Sequence, residues 1–207
     1  MKRSNTLKVM AIAASALFLT GCPLDFDSKQ PAVETTASHK WVDIDEKSFP
    51  DPIFREYVSA NIDQDKDRNL SIEELSAVTV LDVSYQGIAD LKGIEYFTYL
   101  RELDCVGNHL KKLDISAFSR LESLTCNYNP LTELVIPYNS GLQILRTADT
   151  LLMSLDVSRL QQLTELVVDN EVNVSGAERG SLKVVRSTRR PTHPEWETDP
   201  EWETEPE

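Results

Sequence analysis

The sequence predicts an α/β-type repeat solenoid with about five coils of 21–22 residues, parallel strands and a small helical cap at its amino end. The first observation is an internal period, because four segments align without gaps at a spacing of 21 residues. The second is a further unit that lies 22 residues before the first of them. The five units begin at Val78, Leu100, Leu121, Leu142 and Leu163. The pattern stops near Glu171, so the last coil is predicted to be incomplete.

Two columns of residues are predicted to point into the solenoid, because each coil repeats the same alternation. The first column is Leu103, Leu124, Leu145 and Leu166, and the second is Cys105, Cys126, Thr147 and Val168. Side-by-side parallel strands point the Cβ atoms of neighbouring cysteines the same way, which is a poor geometry for a disulfide. No histidine shares their column as a metal ligand would. We therefore interpret Cys105 and Cys126 as core thiols.

Asparagines and short apolar segments are predicted to mark the corners of each coil. Asn108 and Asn129 stand where a side-chain amide can bond the backbone of a tight corner. Leu113 and Ile115 give the first coil a second apolar edge. No coil is long enough for a full helix on its back. The sequence therefore leaves open two parallel faces of short strands, or one sheet backed by extended or 3-10 turns. Residues 182–186 are predicted to close the solenoid as a final strand.

Residues 42–77 are predicted to form a helical cap over the first coil, because a solenoid must cover its exposed end. Asp51 suits the N-cap of a helix, and Pro52 suits its first position. Apolar side chains then recur at four-residue spacing, which gives the helix one buried face. These side chains are Phe54, Val58 and Ile62.

An acidic loop inside the cap has the ligand spacing of an EF-hand calcium loop. Oxygen-bearing residues fall at loop positions 1, 3, 5, 7, 9 and 12, and they are Asp63, Asp65, Asp67, Asn69, Ser71 and Glu74. Arg68 occupies position 6, where that motif has glycine, and a left-handed conformation there costs about 1 kcal/mol. Two interpretations stay open: a structural Ca²⁺ site that fixes the cap, or a solvated acidic turn without metal. No other cofactor is expected.

The amino terminus predicts export. Lys2, Arg3 and Lys8 form a positive start, and an apolar run follows at 9–19. This run is too short to span a bilayer, which needs about 20 apolar residues. It fits the apolar core of a secretion signal.

The apolar run ends in the residues LTGC at 19–22. This segment resembles the bacterial lipobox, and the resemblance implies that the Cys22 thiol carries covalent lipid, which anchors the chain to a membrane. It also implies a place in the bacterial cell envelope, and Pro23 favours the outer membrane if the host is Gram-negative. Residues 1–21 are predicted to be the lipoprotein signal peptide, and 22–41 a flexible tether.

The carboxyl end changes composition, so residues 78–187 are assigned to the repeat domain and 188–207 to a disordered acidic tail. A hexapeptide rich in Pro, Glu and Trp recurs in the tail and cannot bury a core. Trp196 and Trp202 either dock on a partner or belong to a soluble tail without a ligand.

The charge and the motif content exclude two function classes. The 207-residue chain has a formal net charge of -13, and removal of the three cations of the signal makes it -16. Such a charge repels phosphate backbones, so nucleic acid is excluded as a partner. The sequence has no nucleophile elbow, phosphate-binding glycine loop or zinc spacing. We therefore expect no enzyme.

The repeats carry the pattern LxxLxCxxNxLxxLDxS, which resembles the leucine-rich-repeat family. Residues 41–170 resemble a bacterial surface subgroup that is distantly similar to internalins. Three pieces typical of this subgroup occur in order, at 49–58, 78–84 and 91–97. The resemblance implies a short leucine-rich-repeat solenoid that serves as a protein-interaction scaffold at the cell surface. It implies no reaction.

The outward strand positions form the predicted binding face for a protein or peptide ligand. They are Glu102, Asp104, Ser123, Thr125, Asn127, Ile144, Arg146, Glu165 and Val167. Tyr128 and Tyr138 are predicted aromatic anchors at the corners. Two alternatives stay open: a structural envelope spacer or assembly protein without a discrete ligand, and a calcium-stabilised adhesion module whose cap controls exposure of the repeat face.

Overall fold

The amino-terminal elements form a cap in the computed structural model, which describes residues 41–137, 141–178 and 180–187. They are β1 (Val42–Asp43), α1 (Pro52–Asn61), β2 (Asn69–Leu70) and α2 (Ile72–Ala77). Helix α1 starts where the sequence indicates, because the Asp51 carboxylate accepts the N–H groups of Ile53 and Phe54 at 2.9 and 3.0 Å. The antiparallel pairing of β1 with β2 was not predicted, since strands of two residues leave no periodicity to detect.

The repeats supply the remaining strands of the described residues. These are β3 (Val80–Asp82), β4 (Glu102–Asp104), β5 (Lys112–Asp114), β6 (Ser123–Thr125), β7 (Glu133–Val135), β8 (Ile144–Arg146), β9 (Ser154–Asp156), β10 (Glu165–Asp169), β11 (Asn173–Ser175) and β12 (Lys183–Ser187). A 3-10 helix at Ile94–Tyr96 lies between β3 and β4. One strand from each of the five repeat units and the closing strand β12 form a six-stranded sheet in the order β12-β10-β8-β6-β4-β3, and each of its pairings is parallel. The predicted solenoid of about five coils is confirmed.

The opposite edge of the solenoid is also built from parallel strands. Strand β5 pairs with β7, and β9 pairs with β11. Of the two arrangements that the sequence left open, the structure shows the one with two sets of short parallel strands, the second set being two separate pairs.

The winding continues past Glu171, where the sequence pattern stops. Val184 of β12 pairs with Leu166 of β10, so the last coil advances by 18 residues rather than 21. This shorter coil breaks the period, yet β11 still pairs with β9. The strand predicted at 182–186 is therefore β12, at Lys183–Ser187.

The inward columns fill one core that runs from the cap through the coils. The leucines of the first column are at most 1% exposed, and the two cysteines, the threonine and the valine of the second column are fully buried. Phe49 of the cap packs against Phe54 of α1 and against Phe97 after the 3-10 helix, with ring centroids 5.7 and 6.5 Å apart. The cap therefore shares its core with the first coil.

Several predictions concern residues outside those that the structure describes. They are the signal peptide at 1–21, the lipidation site Cys22, the tether up to residue 40, the anchor Tyr138 and the tail at 188–207. Among the helices of the described residues, none is both long enough and apolar enough to cross a bilayer.

Candidate binding face and acidic loop

Two outward columns run across the six-stranded sheet, because parallel strands in register bring equivalent residues side by side. The first column is Val80, Glu102, Ser123, Ile144, Glu165 and Lys183, and the second is Asp82, Asp104, Thr125, Arg146, Val167 and Val185. We call these twelve positions the outward face. Every strand residue predicted for the binding face lies in it. Asn127 does not, because it follows β6, and its Oδ1 accepts the Ala148 N–H at 2.8 Å.

The charges of the outward face are unevenly distributed. Acidic side chains cluster at its amino end, where Asp82 and Glu102 are exposed and Asp104 is half-buried. Further along, Arg146 donates from Nε and Nη2 to Oε1 of Glu165 at 2.9 and 2.7 Å. Among the described residues, no salt bridge compensates the negative charge of the amino end, whereas Arg146 and Glu165 neutralise each other in the middle of the face.

The residues that sequence reasoning missed lie at the two edges of the face. Val80 is 57% exposed and Val185 is 38% exposed. Val80 stands 22 residues before Glu102, so the spacing of the first unit was a signal that could have found it. Val185 pairs with Val167 through the shorter 18-residue coil. A search with a fixed repeat length of 21 or 22 residues could not have predicted that Val185 lies on the outward face.

An aromatic corner borders the face. Tyr85 is 72% exposed and Tyr128 is 44% exposed, and both have positive φ, at 57° and 56°. Gly107 stands between them in the same position of its coil, and a Cβ there would lie 2.4 Å from the Tyr85 ring. The glycine therefore lets the Tyr85 ring lie across the next coil. Tyr85 was missed although it stands 22 residues before Gly107.

The asparagine column holds the corners beside the face. Asn129 Nδ2 donates to the carbonyls of Cys105 and Cys126 at 2.9 and 3.1 Å, and its Oδ1 accepts the Leu110 N–H at 3.0 Å. Asn108 makes the equivalent bonds one coil earlier. One amide therefore satisfies backbone groups of two adjacent coils, as predicted from its position.

The column of cysteines is chemically inert. Cys105 and Cys126 are fully buried free thiols, and each Sγ lies 3.5 Å from a carbonyl oxygen of the next coil. Burial raises the pKa of the Cys126 thiol to about 12, and the nearby Asp104 charge adds to this shift. Burial also raises the pKa of Cys105 well above its ordinary value. A protonated thiol is neither a nucleophile nor a metal ligand.

The acidic loop brings three of the predicted ligands together. One carboxylate oxygen from each of Asp63, Asp65 and Asp67 lies within 4.8 Å of the other two. Asp65 and Asp67 are exposed, whereas Asp63 is fully buried. The loop turns through positive φ at Lys66 and at Arg68, at 61° and 68°. Arg68 therefore adopts the conformation that the motif assigns to glycine at this position.

The other three predicted ligands hold the loop ends. Glu74 accepts the Gln64 N–H at 2.7 Å through Oε1 and the Ser71 N–H at 2.9 Å through Oε2. Ser71 Oγ accepts the Glu74 N–H at 3.2 Å, so the pair forms a capping box at the start of α2. Asn69 lies in β2 and donates from Nδ2 to the Asp67 carbonyl at 3.2 Å. The Glu74 carboxylate is outside the group of three aspartates.

The pKa of the Asp65 carboxyl is raised by this crowding. The hydrogen bond from the Asp67 N–H lowers the pKa, but desolvation and the negative charges of Asp67, Glu74 and Asp63 together outweigh that bond. The loop is therefore a concentration of negative charge at the edge of the cap.

This chain is similar to internalins of Listeria monocytogenes in sequence and in structure. Internalin J of Listeria monocytogenes serotype 4b (strain F2365) is 34% identical over 92 residues, which cover 44% of this chain and 10% of that protein. The solved functional domain of InlJ from Listeria monocytogenes, which includes a cysteine ladder, aligns with a TM-score of 0.50 and 27% identity. That alignment covers 66% of this chain and 35% of the InlJ chain. This chain is an internalin-like leucine-rich-repeat protein.

The internalin-like chain spans about a tenth of Internalin J and about a third of the solved InlJ chain. No protein-family profile matches it. The crystal structures of internalin C2 and InlF from Listeria monocytogenes strain 4b F2365 align with TM-scores of 0.38 and 0.36. Their identities are 15% and 20%, over 71% and 68% of this chain and 97% and 61% of theirs. At these values they carry no argument about its function.

Proposed function

We propose that this internalin-like chain is a lipid-anchored protein of the bacterial cell envelope whose outward face binds a protein or peptide ligand. The observation that carries the proposal is the alignment of outward side chains across six strands in register. A rigid sheet presents such side chains without further ordering on binding, which lowers the entropic cost of association.

The face offers the chemistry that protein interfaces use. Val80 and the aromatic corner at Tyr85 supply exposed apolar surface at its amino end, beside the acidic group of Asp82, Glu102 and Asp104. Aromatic anchors contribute most of the affinity in many interfaces, and complementary charge speeds association. We therefore expect the ligand to present a basic segment with an apolar contact.

A binding role also fits the state of the thiols better than a catalytic role does. The raised pKa of Cys126, about 12, keeps the thiol protonated at neutral pH. A catalytic cysteine needs the opposite shift, towards the thiolate.

The proposed anchor is the thiol of Cys22, the residue that directly follows the predicted signal peptide. Two or more acyl chains hold a protein stably on a membrane, whereas one chain holds it only marginally. In a bacterial host, the chain should incorporate labelled palmitate and pellet with membranes, and Cys22→Ser should abolish both. Membrane pelleting without palmitate incorporation would refute the lipid anchor.

The binding proposal is tested by site-specific photocrosslinking in the bacterial envelope. A photoreactive residue at Ile144 lies on the outward face, and one at the exposed Ser154 of β9 lies on the opposite edge as the control. We expect a discrete crosslinked partner from position 144 only. Crosslinks solely to further copies of the chain would favour the envelope-spacer alternative. Identical products from both positions would refute the proposal that the outward face binds the ligand.

A charge exchange then checks that the face itself binds the identified partner. The double variant Arg146→Glu with Glu165→Arg keeps the ion pair between β8 and β10 but reverses its direction. We expect the fold to be retained and partner affinity to fall, while an equivalent exchange of Lys112 and Glu133 on the opposite edge leaves affinity unchanged. Equal loss in both variants would show that the face is not the interface.

A further inference from the structure

The acidic loop contains a buried carboxylate oxygen without a partner. Asp63 is 0% exposed. Its Oδ2 accepts the Arg68 N–H at 3.1 Å, whereas its Oδ1 accepts no hydrogen bond from any described residue. A buried charged oxygen without a donor is costly, and native structures rarely leave one unsatisfied. This oxygen therefore indicates that a group other than the described residues completes the site.

The charges around Asp63 indicate that this group is a cation. The carboxylates of Asp65 and Asp67 lie within 4.8 Å of it, and like charges at this distance repel. Among the described residues, no lysine or arginine forms a salt bridge with any of the three aspartates. Lys66 is directed elsewhere, because its Nζ donates to the carbonyls of Ser59 and Ala60 at 2.7 and 2.9 Å.

We propose that Asp63, Asp65 and Asp67 bind one Ca²⁺ ion, which fixes the loop of the cap. Calcium binds oxygen ligands at about 2.3–2.6 Å, so two ligands of one ion are at most about 5 Å apart. The 4.8 Å limit that contains the three aspartate oxygens agrees with this spacing. Calcium also takes six to eight ligands of flexible geometry, which lets water and loop carbonyls share the site with carboxylates.

The hydrogen bonds of the loop backbone leave one carboxylate oxygen of Asp65 and one of Asp67 free to bind the ion. Asp65 Oδ1 accepts the Asp67 N–H at 3.2 Å, and Asp67 Oδ1 accepts the Asn69 N–H at 2.7 Å. Each of these carboxylates has a second oxygen, and the bonds hold the side chains over the turn. Glu74 ties the loop ends together through Gln64 and Ser71. The site is therefore oriented before the ion arrives.

The ion would act on the cap as a whole. Leu70, three residues after Asp67, is fully buried and pairs with Val42 of β1. Helix α1, directly before them, is linked to the coils through Asp51, whose Oδ2 accepts the Ala89 N–H at 2.8 Å. Because both flanks of the loop belong to the shared core, neutralising the aspartates should stabilise the cap on the solenoid. This role does not depend on the identity of the ligand of the outward face.

The test uses the full chain with Cys22→Ser, which prevents lipid attachment at a position outside the described residues. After treatment with a chelator, the protein is titrated with CaCl₂ in a calorimeter, and its thermal unfolding is followed with chelator and with about 2 mM calcium. We expect one ion per chain, a dissociation constant of about 1 mM or tighter, and a Tm higher by several degrees with calcium.

Two variants and one matched control sharpen the test. Asp65→Asn keeps the acceptor for the Asp67 N–H but removes one charge, so calcium affinity should fall at least about ten-fold. Asp114→Asn is the control, because this exposed residue accepts the Ser116 N–H in the same kind of turn on the solenoid, and its calcium affinity should be unchanged. Arg68→Gly removes a positive charge and suits φ of 68°, so it should bind calcium more tightly than the parent chain.

The outcomes separate the alternatives. No calcium-dependent heat and no Tm shift at about 2 mM calcium would overturn the proposal and leave a solvated acidic turn. Equal affinity in the parent chain and in Asp65→Asn would place the ion elsewhere and would overturn it as well. Because Asp65 is exposed, its variant should fold even if changes at the buried Asp63 do not.

Discussion

The two ends of the solenoid are closed in different ways. At the amino end, a separate cap covers the first coil, and the Asp51 carboxylate is one of the contacts that link the two. Asp51 Oδ1 starts helix α1, while its Oδ2 accepts the N–H groups of Ala89 and Asp90 at 2.8 and 3.1 Å. Tyr57 of α1 donates from Oη to the Asp82 carbonyl at 2.8 Å. The apolar end of the solenoid is thereby buried.

At the carboxyl end of the described residues, strand β12 lies at the edge of the sheet, where it pairs with β10 and its Arg186 side chain contacts the preceding turn. Arg186 donates from Nη1 to the carbonyls of Asp169, Asn170 and Val172 at 3.3, 3.4 and 2.9 Å. Val184 is only half-buried, unlike the leucines of its column. Because the described residues of β12 are less buried than those of the earlier strands of this sheet, we expect this strand to open before the cap does. The comparison shows that one end of a solenoid can be covered by a separately folded cap while the other end closes with a strand at the edge of its sheet.

The largest effect should come from a change at the junction of cap and coil. Gly93 has φ of 99°, and a Cβ there would lie 2.4 Å from the Phe49 ring and 2.5 Å from the Ser48 carbonyl oxygen. Gly93→Ala should lower the free energy of unfolding by about 3 kcal/mol, because overpacking adds to backbone strain. Urea unfolding followed by circular dichroism measures this loss.

The matched control is Gly180→Ala near the carboxyl end, where nothing lies within 4 Å of the added Cβ. Its free energy of unfolding should stay within about 0.5 kcal/mol of the parent chain. Equal losses in both glycine variants would contradict the tight junction at the amino end.

The next effect should come from Asp51→Ala, which removes the N-cap of α1 and the link to the first coil together. We expect a loss of about 2–3 kcal/mol, because four N–H groups, one in a buried hydrogen bond and three in partly buried ones, lose their acceptor. Asp114→Ala, which removes one exposed turn contact, should cost under about 1 kcal/mol. A loss at Asp51 no larger than that at Asp114 would mean that the cap is held by its apolar core alone.

At the carboxyl end, Arg186→Gln should have a smaller and more local effect. Losing the contacts to the carbonyls of residues 169, 170 and 172 should cost about 1 kcal/mol. Hydrogen exchange should speed up in β12 and β11 but not in α1. Lys183→Gln, an exposed change in the same strand, is the control. Faster exchange in α1 would show that the two ends do not open independently.

The sequence predicted the fold well where repetition amplified a weak signal. A single LxxLxC segment would not distinguish a strand from a turn, but the 21-residue column of Leu103 and its equivalents fixes which residues point inward. The outward face follows from the same register. The cap helix was predictable for another reason, because Asp51 and Pro52 mark its start.

The remaining features depend on three-dimensional contacts that no local pattern encodes. The pairing of β1 with β2 joins residues 26 and 28 positions apart, and each strand has two residues. Val185 belongs to the outward face only because the last coil is shorter. The acidic loop was predictable only in part. The sequence spacing predicted its three aspartates, whereas the burial of Asp63 Oδ1 without a hydrogen-bond donor follows from the packing of the cap and could not be predicted from spacing.

The smallest effect should appear midway between the two ends, as a pH dependence of the cysteine column. Burial raises the folded-state pKa of Cys126 to about 12 from an ordinary value of 9.0. Between these values the unfolded chain loses a proton that the folded chain retains. The free energy of unfolding therefore falls as pH rises through this window, by at most about 1.4 kcal/mol per pH unit for one thiol.

Cys126→Ala removes this titration while leaving a small cavity. The variant should be less stable than the parent chain at neutral pH by about 1 kcal/mol. The difference should shrink as pH rises from about 8 to about 10, because only the parent chain loses stability through this thiol. Thr147→Ala, in the same buried column, is the control, since its difference from the parent chain should not change with pH. Urea unfolding under reducing conditions measures both series, and parallel pH profiles would mean that ionisation of Cys126 does not limit the stability of the middle coils.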